Sequence, residues 1–148
     1  MKKRCMVFLV AVIFLYACSG AGKKNIIECG TDDSQDECNR KMSVAYNDES
    51  YCGKIENVEI KTNCYASLAA FKMDYKVCNG ITDDFQRNIC IRTYAHAKRD
   101  LSACDEINDS NQNDLCVRNI AIAQKDKALC EEILQESQKE LCLSTIQK

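Results

Sequence analysis

The spacing of the cysteines limits what this chain can fold into more than any other feature. Ten of them stand at positions 29, 38, 52, 64, 78, 90, 104, 116, 130 and 142. From Cys52 onward the gaps alternate between 12 and 14 residues, so the sequence repeats every 26. Other positions keep the same phase. Asp48, Asp74, Asp100 and Asp126 each stand four residues before a cysteine, and Ile55, Ile81, Ile107 and Ile133 three after it. Ala69, Ala95 and Ala121 stand five residues after the other cysteine. Self-similarity at such a period marks a stack of supersecondary units, none of which buries a core alone.

Each unit reads as two helices. In the third, Asp100 precedes LSACDEI, where Ala103, Cys104 and Ile107 share one helical face. Asp109 opens a second segment with Leu115, Cys116, Ile120 and Ala123 on one stripe. The recurring Asp48, Asp74, Asp100 and Asp126 are expected to cap the first helices. Ser137 and Glu140 have capping-box spacing in the last unit. There is no proline, there are only five glycines, and period-two alternation is absent, which disfavours strand. The expected fold is all-α: a short disulfide-stapled α-solenoid or a curved bundle of helical hairpins. The organisation resembles tetratricopeptide and similar helical-repeat scaffolds, but only in architecture, because their Trp, Gly, Tyr and Pro signature positions are absent. The units span 29–47 (shortened), 48–73, 74–99, 100–125 and 126–148.

Spacing also selects a pairing. Joining cysteines across the shorter gaps gives Cys29–Cys38, Cys52–Cys64, Cys78–Cys90, Cys104–Cys116 and Cys130–Cys142, and uses all ten. Joining across the longer gaps strands Cys29 and Cys142. In a hairpin turning near Asp109, Cys104 and Cys116 fall at similar heights on facing helices, whereas Cys90 and Cys104 would be mismatched by roughly 9 Å. A staple of this loop size contributes about 3 kcal/mol in the chain-entropy model. Structural zinc needs closely spaced Cys or Cys/His sets, and His96 is the only histidine. Haem attachment needs Cys-x-x-Cys-His, which is also missing. No metal or other cofactor is expected.

The chain begins MKKRCMVFLVAVIFLYACSG. Lys2, Lys3 and Arg4 precede an apolar run over residues 5–16, the pattern of a secretory signal. That run is too short to span a membrane comfortably. Leu15-Tyr16-Ala17-Cys18 resembles the lipobox of bacterial lipoproteins. The resemblance covers only this N-terminal stretch, and Tyr16 departs from the small or aliphatic residue typical there. It implies a signal peptide over 1–17, acyl chains on Cys18, a tether over 18–28, and attachment to the cell envelope through lipid. Ser19 in the following position implies the outer membrane or cell surface, with a periplasmic face possible. Two or more acyl chains anchor a protein stably.

Three of the 20 basic residues lie in 1–17, leaving 17 against 22 acidic ones, a formal charge of −5 for the remainder. That balance argues against nucleic acid or anionic lipid as a partner. Tyr46, Tyr51, Tyr65, Tyr75 and Tyr94 are candidates for a binding face, since tyrosine is a frequent interface anchor. His96 lacks a visible catalytic partner, and Asp83-Asp84 lacks the ligand-rich loop of a calcium site. No nucleophile–base pair and no small-molecule substrate is evident. The expected function is therefore non-enzymatic: a protein-binding or scaffolding module of the cell envelope. The alternative is an inhibitor or immunity-type lipoprotein that blocks a single exported enzyme or toxin.

Overall fold

The computed structural model describes residues 29, 30 and 32–147. The signal segment 1–17, Cys18 and the tether 18–28 lie outside the described residues. Among those described there is no strand, and no helix is long and apolar enough to cross a membrane.

Long helices alternate with single turns. The long ones are α1 (Gln35–Tyr46), α3 (Val58–Lys72), α4 (Asp84–Lys98), α5 (Ser110–Gln124) and α7 (Glu136–Ile146). Between them lie α2 (Ser50–Gly53), a 3₁₀ turn (Tyr75–Gly80), a second 3₁₀ turn (Leu101–Glu106) and α6 (Lys127–Glu131). Two helices per unit were expected, the first of them short; it is only four to six residues long, and in two units it is a 3₁₀ turn. One turn suffices to place a cysteine and an isoleucine inward, and so short a run tolerates 3₁₀ geometry.

Packing runs in one direction. α1 packs on α3, α3 on α4, α4 on α5 and α5 on α7, while each short element wedges between the long helix before it and its own. The core follows the repeating positions. Ile55, Ile81, Ile107 and Ile133 are buried, as are Leu68, Tyr94 and Ile120. Ala69, Ala95 and Ala121 are fully enclosed, with Ser43 in the corresponding place on α1. Small side chains there let the following element approach closely.

All five short-gap disulfides are present: Cys29–Cys38, Cys52–Cys64, Cys78–Cys90, Cys104–Cys116 and Cys130–Cys142. Their Cα–Cα distances run from 5.3 Å to 5.8 Å, within the range a disulfide requires. The eight cysteines from Cys52 on are completely buried. They are core residues as well as cross-links, which compensates for the few large apolar side chains.

Each long helix from α1 to α5 ends on a left-handed residue: Asn47, Met73, Arg99 and Lys125, with φ between 54° and 57°. The N–H of the next residue reaches back to the fifth residue before it: Asp48 to Ser43, Asp74 to Ala69, Asp100 to Ala95 and Asp126 to Ala121, at 2.9–3.0 Å. This Schellman closure satisfies helix-terminal carbonyls and turns the chain sharply into the next short element. Glycine is the usual residue at such a position, and its absence hides the turn in the sequence.

Candidate interaction surface

The recurring aspartates divide into two groups. Asp48, Asp74 and Asp126 accept hydrogen bonds from the N–H of Ser50, Lys76 and Ala128, each at 2.9 Å. Asp100 makes no such bond. Its oxygens accept instead from the Ser102 hydroxyl at 2.6 Å and the Tyr94 hydroxyl at 3.2 Å. Asp100 thus stands at the expected cap position, but two nearby hydroxyls take the carboxylate in place of the backbone donor. The expected capping box at Ser137 and Glu140 is not formed either. α7 begins at Glu136, and Gln135 before it makes no side-chain cap.

What starts α7 comes from the neighbouring unit. Asp114 on α5 is 1% exposed, and its two oxygens accept from the N–H groups of Leu134 and Gln135 at 3.0 and 2.8 Å. Asp36 on α1 serves the start of α3 in the same way, accepting from Glu56 and Asn57 at 3.1 and 2.9 Å. A carboxylate presented to a helix start both fills orphan donors and meets the positive end of the helix dipole. A second row lies beside these latches. Arg92 Nη1 donates to Gln112 Oε1 at 2.8 Å, and Arg118 Nη1 donates to Gln138 Oε1.

The five tyrosines do not form one face. Tyr65 and Tyr94 are buried, at 6% and 4% exposure. Tyr65 lies against Gly80, where a Cβ would meet its ring at 2.5 Å. Tyr46 and Tyr51 stack with centroids 6.0 Å apart, and Lys54 Nζ sits 4.6 Å over the Tyr51 ring. Tyr75 meets Tyr94 edge-on at 6.2 Å and donates to Glu106 at 2.9 Å. The expectation of a single tyrosine surface is corrected: the repeat turns residue 65 and residue 94 inward as core, and the others cover joints between elements. The hydrogen bond that the Tyr75 hydroxyl donates to Glu106 raises its ionisation above the ordinary value, whereas burial is the main cause for Tyr65 and Tyr94.

His96 is exposed on the last turn of α4. No group of three or more His, Cys, Asp or Glu side chains is placed to hold a metal among the described residues. A polar groove of about 510 Å³ opens between the starts of α4 and α5, lined by Asp84, Phe85, Arg87, Asn88, Asn111 and Gln112 among others. A smaller one of about 340 Å³ opens beside Tyr65, Gly80 and Val58. Neither encloses an array of reactive groups.

No protein-family model matches this chain, and no curated protein or solved structure matches it in the comparisons made with it.

Proposed function

We propose that this chain is an exported protein, held to the cell envelope by lipid on Cys18, that acts as a non-enzymatic binding or scaffolding module. The observation that carries the reading is the closure of ten cysteines into five disulfides, each within one unit. Such bonds persist in oxidising compartments and are rare where glutathione keeps thiols reduced. The leader and the lipobox-like LYAC at 15–18 supply the anchor in this reading. Repeat arrays of this kind expose extended surfaces suited to protein contact rather than enclosed reaction sites.

Fractionation of cells carrying the wild-type chain and Cys18→Ser tests the anchor. The wild type is expected in the membrane fraction, and the variant in the soluble fraction or retained as an unprocessed precursor. Unchanged membrane attachment of a processed Cys18→Ser chain would remove the lipid from the account. Cross-linking in intact cells tests the binding role, with a recurrent protein adduct as the expected result. If the chain is never captured with another protein, that role fails.

A further inference from the structure

The face formed by α4, α5 and α7 carries two cations that have no ion-pair partner among the described residues. Arg92 and Arg118 are half-buried on adjacent helices. Each gives one hydrogen bond to a neutral glutamine amide of the next unit. A guanidinium has five donors, and Arg118 Nε is buried without a hydrogen-bond partner among the described residues. Among the described residues the ion pairs are Arg40–Glu37, Lys41–Asp33, Arg87–Asp84 and Lys139–Glu131. None involves Arg92 or Arg118. Asp114, one turn before Arg118, spends both oxygens on the start of α7, and the matching residue before Arg92 is the neutral Asn88.

Two partly desolvated like charges side by side are unfavourable unless something negative joins them. Burial lowers the Arg92 ionisation, and the nearby charge of Arg118 adds to the effect. Three residues before each arginine, and so on the same helical face, stand Ile89 and Leu115, both half-exposed. Leu141 continues the row on α7 at 50% exposure. The strip thus alternates cation and apolar surface across three helices.

We propose that Arg92 and Arg118 form a docking site for carboxylates of a partner protein, on a segment whose apolar side chains lie over Ile89, Leu115 and Leu141. The site rests on the protein-binding reading above and gives that reading a location. Planar guanidinium forks match carboxylate geometry, and charge-assisted hydrogen bonds are among the stronger polar contacts at an interface.

The test uses the full chain in detergent micelles and observes arginine Nε–H resonances by NMR. The probe is an acetylated peptide of alternating leucine and glutamate, compared with its leucine–glutamine counterpart and with inorganic phosphate. The glutamate peptide is expected to shift the Arg92 and Arg118 signals and to bind more weakly as salt rises. Arg92→Gln and Arg118→Gln should each weaken it about tenfold or more, the loss of one charge-assisted contact. Both variants keep a polar, uncharged side chain of helix-compatible shape, and unchanged circular dichroism would show that they fold. Equal binding of the glutamine peptide, a response to phosphate without a response to glutamate, or no shift at either arginine would overturn the site. A photo-cross-linker at Thr93, exposed beside Arg92, and another at Lys54 separate this proposal from the broader reading. Protein captured from Lys54 but never from Thr93 sinks the site while leaving a binding role intact.

Discussion

Asn47, Met73, Arg99 and Lys125 hold a backbone conformation that costs an L-residue about 1–2 kcal/mol. Glycine avoids that strain but loses about 0.5–1 kcal/mol more conformational freedom on folding. The balance favours glycine at Met73, so Met73→Gly is expected to stabilise the fold by about 0.5–1 kcal/mol. Asparagine tolerates the left-handed region, and Asn47→Gly should gain less. Urea midpoints check the order; a loss at Met73, or a larger gain at Asn47, contradicts it. Gly80 makes a different demand. Its backbone is ordinary, but Tyr65 occupies the space a side chain would need. Gly80→Ala should therefore cost about 1–3 kcal/mol through overpacking. Most of that penalty should vanish in a Tyr65→Val background, because valine is the residue at the corresponding Val117 of α5. A penalty of the same size in both backgrounds would show that the ring is not the obstacle.

At the scale of elements, the short turns depend on what holds them. Each is tied by a disulfide to the long helix that follows it and closed by a Schellman turn to the long helix before it. The latches from Asp36 and Asp114 join one unit to the next. Asp114→Ala removes both acceptors at the start of α7 and is expected to cost about 2 kcal/mol. Hydrogen exchange should show the loss first in α7, and unchanged protection there would contradict the latch. The disulfides should also differ among themselves. Cys29 is exposed, whereas the other four bonds are sealed in the core. Mild reduction of the folded chain should open Cys29–Cys38 first, as peptide mapping after thiol alkylation can show. Earlier opening of Cys104–Cys116 would contradict that order.

Across the whole molecule, the repeat made much of the core readable. Cysteine, isoleucine and alanine columns recur in phase, and burial follows them because each unit presents the same side to its neighbours. The cysteine pairing was readable for the same reason, since helical rise sets which thiols stand level. Other features were hidden for physical reasons. The role of Asp114 depends on N–H groups 20 and 21 residues away in another unit, which no local pattern announces. The left-handed turns carry no glycine, and a tyrosine reads alike whether it is core, as at Tyr94, or a surface anchor. Arg92 and Arg118 carry no sequence signal of their own, because their partners are glutamines 20 residues away in the next unit.

We propose an exported, lipid-anchored chain clasped hairpin by hairpin. Mass mapping of the protein taken from the membrane fraction without reduction tests both parts together. The expected result is an N-terminus at Cys18 carrying acyl chains and five disulfides, each closing within one unit. An unmodified Cys18, free thiols among the ten cysteines, or a Cys90–Cys104 linkage between units would contradict it.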